Sequence, residues 1–178
     1  MKKKINFIII FSLIIFIFIT FIIGLNKNST YTTANITNVN IENFKSKELF
    51  SDEIINFINP NLKKKIIILN IWASWCLPCR TEHEFLINLS ENKEVILVGL
   101  NYKDKTENAK SFLNELGNPY EKVLIDDKGL ISIELGAFGV PETYIINNQE
   151  KKIIKKYVGP IDEIKSKEIE LLVKSWKP

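Results

Sequence analysis

The sequence predicts an α/β domain, a central mixed β-sheet flanked by helices, preceded by one N-terminal transmembrane helix. Three observations lead to this prediction. Residues 5–25 carry no charged side chain. Continuous apolar runs at residues 66–71 and 95–100 are each followed by helical periodicity, which is typical of parallel strands joined by crossover helices. Two further apolar runs near the C-terminus are separated by a short polar turn, which indicates an antiparallel pair.

The N-terminal apolar segment is long enough to anchor the chain in a membrane. Residues 5–25 match the roughly 20 residues that a helix needs to cross the bilayer core. A cleaved signal peptide is the alternative, but its apolar region is usually about 7–15 residues long and ends at a small-residue cleavage site. Residues 26–31 offer no such site. Three lysines precede the span, so the positive-inside rule predicts a cytoplasmic tip at residues 1–4 and an exported remainder.

The charge balance argues against a nucleic-acid partner. The chain has 24 basic and 21 acidic residues, and three of the basic residues are the lysines before the span. Without them 21 remain, so the exported part is neutral. A neutral domain lacks the basic surface that binds phosphate backbones.

The elements of the chain follow in order from the anchor. Residues 26–40, rich in Asn and Thr, are predicted to be a linker, and residues 41–178 to form the folded domain. A short helix is predicted over residues 52–58, capped by Ser51 and ended by residues 59–61. The predicted strands are residues 66–71, 95–100, 123–125, 143–146 and 153–158. The predicted helices are residues 76–89, 106–116, 130–135 and 161–176, the last with Ile164, Ile169, Leu172 and Val173 as its apolar face.

The only two cysteines, Cys76 and Cys79, lie where the first long strand turns into a helix. A loop this short adds little stability as a cross-link, so exchange chemistry is favoured over a purely structural disulfide. A structural zinc site needs four ligands, whereas the chain offers two Cys and His83, so no metal site is predicted. Backbone N–H groups at a helix N-terminus favour the thiolate, which makes Cys76 the nucleophile and Cys79 the resolving residue.

Four sequence stretches carry a resemblance to a known family. The segment WASWCLPC at residues 72–79 resembles the active site of thioredoxin-like proteins. The other stretches are RTEH at 80–83, GLNYKD at 99–104 with LGNPY at 116–120, and GAFGVPETY at 136–144. Together they resemble the DsbE/CcmG family, the thiol:disulfide interchange proteins of cytochrome c maturation. The resemblance covers residue 66 to the C-terminus.

The resemblance implies a reductant in a thioredoxin-like fold, with the Cys76–Cys79 disulfide as its redox centre and no further cofactor. Its client would be apocytochrome c or a partner thiol protein, and its electron donor a membrane protein of the DsbD/CcdA type. The expected location is the bacterial inner membrane, with the catalytic domain in the periplasm. A TlpA- or ResA-like reductase with other clients, and a redox-inert binding protein that uses the same groove, are the alternatives. The reduction potential, and with it an oxidising role, stays open.

The resemblance also implies roles for residues around the cysteines. Pro141 is expected to be cis and to present the Val140 backbone to an extended client, and Trp75 to form part of the docking surface. Ordinary thioredoxins bury an Asp where this chain has Asn70, which cannot carry a proton. Glu82 and Glu142 are therefore the candidates for proton transfer to Cys79, with Glu82 favoured by its place on the same helix.

Overall fold

The computed structural model describes residues 2–25, 41, 44–51, 53–58 and 66–176. The chain divides into two compact units, Met1–Thr32 and Thr33–Pro178. The predicted linker at 26–40 lies outside the described residues.

Within the described residues, the first unit forms helix α1 (Lys2–Leu25), whose stretch Lys4–Gly24 is by length and mean hydropathy able to cross a membrane. Two polar side chains in this stretch satisfy their hydroxyls within the helix. The Ser12 hydroxyl donates to the Ile9 carbonyl at 2.9 Å, and the Thr20 hydroxyl to the Ile17 carbonyl at 2.8 Å. Such internal bonding suits a segment surrounded by lipid, where water cannot satisfy polar groups.

In the described part of the second unit, the strands are β1 (Lys45–Lys47), β2 (Ile54–Asn56), β3 (Ile66–Trp72), β4 (Val95–Tyr102), β5 (Lys122–Asp126), β6 (Glu142–Asn147) and β7 (Lys152–Val158). Five of them form a mixed sheet of order β5-β4-β3-β6-β7. Strands β3, β4 and β5 are parallel, whereas β6 pairs antiparallel with both β3 and β7. The helices in this part are α2 (Leu77–Ser90), α3 (Thr106–Leu116), α4 (Leu130–Glu134) and α5 (Glu163–Ser175). The predicted mixed sheet flanked by helices is confirmed.

Strand β3 occupies the centre of the sheet, and six of its seven side chains are hydrophobic. All seven residues are buried. Its alternate side chains enter two cores. Ile66, Ile68 and Trp72 belong to the core with α2, α3 and α5, whereas Ile67, Leu69 and Ile71 belong to the core on the other face. The turn that follows β3 therefore starts from a fully buried strand.

The predicted helix over residues 52–58 is wrong. Ile54–Asn56 instead forms β2, which pairs antiparallel with β1. The Glu48 carboxylate accepts the backbone N–H groups of Phe50 and Ser51, at 2.8 and 2.6 Å, and this turns the chain into a hairpin. Ser51 therefore lies in a turn and caps no helix. The other predicted residues, Asp52 and the stop at 59–61, lie outside the described part of the chain.

The apolar face predicted for the last helix is partly wrong. Ile169 and Val173 are buried as predicted, but Ile164 is 79% exposed. The helix starts at Glu163 with Asp162 as its N-cap, and Asp162 accepts the Lys165 N–H at 2.8 Å. Ile161, just before that cap, is buried and takes the place that Ile164 was expected to fill.

Candidate active site

Cys76 and Cys79 lie at the start of α2 and form a disulfide, with their Cα atoms 5.3 Å apart. Cys76 is the N-cap of α2, and its Sγ accepts the Cys79 backbone N–H at 3.2 Å. Pro78 occupies the first turn, where a helix does not need the missing N–H. A sulfur in this position faces the positive end of the helix dipole, which stabilises a thiolate. The geometry therefore suits Cys76 as the attacking sulfur.

The turn before Cys76 is held by the carboxylate of Asp104, at the end of β4. Asp104 accepts the Ser74 backbone N–H at 2.6 Å and the Ser74 hydroxyl at 2.8 Å. The Asn101 side-chain amide also donates to it, at 3.1 Å. Trp75 is fastened next to this turn, because its indole N–H donates to the Lys103 carbonyl at 3.1 Å. Asp104 lies in the family-like stretch at 99–104, but no pattern in the sequence indicated its contact with the turn before Cys76.

Exposed apolar side chains flank Cys76 in the sequence, and another lies on the loop before Pro141. Trp75 is 58% exposed, and Leu77, inside the Cys76–Cys79 loop, is 72% exposed. Phe138, on the loop before Pro141, is also 72% exposed. Large apolar side chains left in water next to a reactive disulfide are typical of a protein-docking surface.

The Val140–Pro141 peptide bond is cis. The Pro141 carbonyl accepts the Gly159 backbone N–H at 3.0 Å, which ties the loop to the end of β7. Val140 is half-buried and packs against the core. It lies two residues before β6, which begins at Glu142. This placement is compatible with strand-like pairing to an extended client, which remains a proposal.

Glu142 is buried, and four donors surround its carboxylate. One oxygen accepts the backbone N–H groups of Phe138 and Gly139, at 2.7 and 3.3 Å. The other accepts the Tyr144 hydroxyl at 3.0 Å and pairs with Lys156 Nζ at 2.7 Å. These four contacts connect the loop before Pro141 with strands β6 and β7, so Glu142 is suited to holding this loop. Its part in proton transfer to Cys79 stays a prediction.

Lys156 is the partner that completes this arrangement. Its Nζ donates to the Gly136 carbonyl at 2.7 Å and lies 4.6 Å from the centre of the Phe138 ring. The exposed Phe138 ring thus rests on a buried cation, a geometry that favours cation–π attraction. Lys156 could not be predicted from the sequence, since a lysine inside a strand pattern gives no signal of burial.

Glu82 is fully buried on α2, three residues after Cys79. Its Oε1 accepts the Asn70 side-chain amide at 2.9 Å, and its Oε2 accepts the Ile161 backbone N–H at 2.7 Å. Burial raises the pKa of Glu82 to about 7, although both hydrogen bonds and the charge of Lys165 act to lower it. A carboxyl with such a pKa can both accept and release a proton near neutral pH.

Asn70 lies at the centre of a buried polar group, of which only Asn70 and Glu82 were expected from the sequence. Besides Glu82, its amide contacts the hydroxyls of Thr143 and Tyr120, at 3.0 and 2.8 Å. A single polar residue inside an otherwise apolar strand was the available signal. Within the described residues, no group of three or more His, Cys, Asp or Glu side chains could hold a metal ion.

Comparisons with known proteins agree with this geometry. The model of the Redoxin family matches residues 29–171. The chain is 44% identical over 107 residues to the thiol:disulfide interchange protein CycY of Rhizobium leguminosarum, a match that covers 60% of this chain and 57% of that protein. It is 32% identical over 176 residues to the thiol:disulfide interchange protein DsbE of Haemophilus influenzae, covering 92% of this chain and 90% of the relative.

A solved structure supports the fold. A thioredoxin-like protein from Aeropyrum pernix superposes with a TM-score of 0.61 at 18% identity, over 74% of this chain and 88% of that one. In several relatives the matched region spans only about half of their length, from 44% upward. The long match to DsbE and the family model together decide the assignment. The chain belongs to the redoxin family and, within it, to the DsbE-type thiol:disulfide interchange proteins, which are thioredoxin-like thiol:disulfide oxidoreductases.

Proposed function

We propose that this protein is a membrane-anchored dithiol reductant in c-type cytochrome maturation. It keeps the cysteines of apocytochrome c, or of a partner thiol protein, reduced for haem attachment. The observation that carries the proposal is the Cys76–Cys79 pair at the start of α2, with the buried Glu82 on the same helix. The similarity to DsbE and CycY supports the choice of pathway.

The chemistry of the cycle follows from the two sulfurs. The Cys76 thiolate attacks a sulfur of the client disulfide, forms a mixed disulfide and expels the second client sulfur as a thiolate. Cys79 then loses its proton and attacks the Cys76 sulfur, which releases the first client sulfur. Two electrons pass to the client, whose sulfurs take up two protons, and the enzyme ends as the Cys76–Cys79 disulfide. Glu82 accepts the proton of Cys79 and passes it on as the client leaves.

The remaining site residues bind and position the client. Trp75, and the backbone of Val140 beside the cis Pro141, bind the client segment, while Glu142 holds the loop that carries them. The protein spans the bacterial inner membrane once through α1, with its N-terminus in the cytoplasm and its catalytic domain in the periplasm. A membrane thiol protein of the DsbD/CcdA type restores the dithiol. No nucleic acid takes part.

The direction of electron transfer is tested by measuring the reduction potential of the full-length protein in detergent. The protein is equilibrated with glutathione, and its redox state is followed by the fluorescence of Trp75. A potential below about −200 mV is expected for a reductant. A potential near −120 mV would make the protein an oxidant and remove the proposed role.

The client is tested by trapping. In the Cys79→Ser variant the resolving sulfur is gone, so an oxidised apocytochrome peptide with its C-x-x-C-H segment should remain attached to Cys76. The matched Cys76→Ser variant should trap nothing. Equal trapping of a scrambled peptide with the same cysteine spacing would instead favour a TlpA- or ResA-like reductase with broader clients. Exchange with no disulfide at all would indicate a redox-inert binding protein.

A further inference from the structure

Four buried side chains from separate parts of the fold form a continuous hydrogen-bonded chain. The Tyr120 hydroxyl donates to Asn70 Oδ1 at 2.8 Å. Asn70 Nδ2 donates to Glu82 Oε1 at 2.9 Å and to Thr143 Oγ1 at 3.0 Å. Asn70, Glu82 and Thr143 have no exposed area, and Tyr120 is 6% exposed. Water therefore cannot replace a missing partner, and each bond in the chain matters more than it would at the surface.

When Glu82 is ionised, its charge determines the direction of these bonds. An ionised carboxylate only accepts hydrogen bonds, so Asn70 must turn its NH₂ group towards Glu82. Its carbonyl oxygen then points the other way and needs a donor. The Tyr120 hydroxyl is that donor, since it lies 2.8 Å from Oδ1. If the amide flipped, its oxygen would face the oxygen of the carboxylate, and the charged form of Glu82 would lose a donor.

Tyr120 is itself held firmly in place. Its ring stacks on Trp72, with the centroids 5.7 Å apart and the planes at 19°. Its backbone N–H donates to the Asn118 side chain at 3.0 Å. The ring also fills the space above Gly99, where a Cβ atom would lie 2.9 Å from it. The hydroxyl therefore meets Asn70 at a position set by packing on three sides.

We propose that Tyr120 is a positioning residue for thiol exchange: through Asn70 it keeps an amide donor on Glu82 and so makes the Glu82 carboxylate available to take the proton of Cys79. The inference rests on the role proposed above for Glu82. Other groups also act on Glu82. Lys165, at the start of α5, and the Ile161 N–H favour the ionised form, while burial opposes it. From α2 itself, the Cys76–Cys79 pair precedes Glu82 by one turn.

The test uses the full-length reduced protein in detergent and a small aromatic disulfide, 5,5′-dithiobis(2-nitrobenzoate), which needs no client recognition. Attack by Cys76 forms a mixed disulfide and releases one coloured thiolate. Attack by Cys79 on the Cys76 sulfur then releases the second. The rate of the second release against pH reports how readily Cys79 loses its proton, and the first release reports Cys76 alone.

Tyr120→Phe keeps the stacked ring and removes only the hydroxyl. Its midpoint for the second release should move upward by roughly one pH unit, with a rate roughly tenfold lower below the wild-type midpoint. The first release should not change. Tyr157→Phe is the matched control: Tyr157 is a buried tyrosine of the same core, but its hydroxyl lies beside Glu168 on α5, so no shift is expected. If the Tyr120→Phe midpoint equals the midpoints of the wild-type and Tyr157→Phe proteins, the inference is overturned.

The Glu82→Gln variant distinguishes a failure of the role proposed for Glu82 from a failure of the inference about Tyr120. If it removes the pH dependence of the second release while Tyr120→Phe leaves the midpoint in place, only the inference about Tyr120 fails. If Glu82→Gln keeps the wild-type profile, the proposed role of Glu82 fails, and the inference fails with it. Should Tyr120→Phe not fold, Asn70→Leu, of similar volume, removes the same donor from Glu82 and must give the same upward shift. An unshifted Asn70→Leu midpoint would also refute the inference.

Discussion

Replacing Glu82 by Gln should alter the pH dependence of stability in a way that only a buried, hard-to-ionise carboxyl produces. Gln has nearly the same shape and keeps an oxygen for either Asn70 Nδ2 or the Ile161 N–H. It resembles the protonated acid and cannot ionise. The variant therefore isolates the free energy of forming a charge at this position.

The expected magnitude follows from the pKa of Glu82, which burial raises from 4.5 to about 7 in the folded protein. The contribution of Glu82 to stability is complete below pH 4.5 and is lost as the pH rises through 7, because the folded state resists ionisation. A difference of about 2.5 pKa units corresponds to about 3 kcal/mol. The stability of Glu82→Gln relative to wild type should therefore increase by about 3 kcal/mol between pH 4 and pH 8.5.

The measurement is urea unfolding of the oxidised full-length protein in detergent, followed by tryptophan fluorescence at several pH values. Taking the difference between variant and wild type cancels other titrations, such as that of His83, whose pKa burial lowers. Glu115→Gln is a suitable control, because Glu115 forms an exposed pair with Arg80 and such pairs contribute less than about 1 kcal/mol. A Glu82→Gln difference that stays constant within about 0.5 kcal/mol over this range would refute the reasoning, since Glu82 would then ionise as it does in the unfolded chain.

Two further substitutions test the packing around the site. Lys156→Met leaves the buried Glu142 carboxylate without its cation and should lower the free energy of unfolding by about 3–5 kcal/mol in urea titrations, whereas Lys156→Arg should restore much of it; a loss below about 1 kcal/mol would contradict the buried ion pair. Gly99→Ala places a Cβ 2.8 Å from Trp72 Nε1 and 2.9 Å from the Tyr120 ring, so unfolding should become easier by about 1–3 kcal/mol. An unchanged urea midpoint for Gly99→Ala would show that the two rings move aside freely.

The amino-acid pattern alone was enough to predict the sheet and the position of the cysteines. Continuous apolar runs identified β3 and β4 as buried strands, and the predicted second helix coincides with α3 (Thr106–Leu116). These features depend on the periodicity of neighbouring residues, which is a local property of the chain. The placement of Cys76 at a helix N-terminus follows in the same way, because the strand and the helix on either side are both strongly patterned.

Only the tertiary structure determined which partners the polar residues have. Residues 54–56 became a strand because Glu48 turns the chain and β1 supplies a partner. Glu82 and Glu142 are both buried glutamates, yet the first accepts from two neutral donors and the second from four donors, including Lys156. Hydrogen-bond partners come from distant parts of the chain. The periodicity of a segment indicates that a side chain is buried, but only the folded arrangement determines which charges and donors meet it.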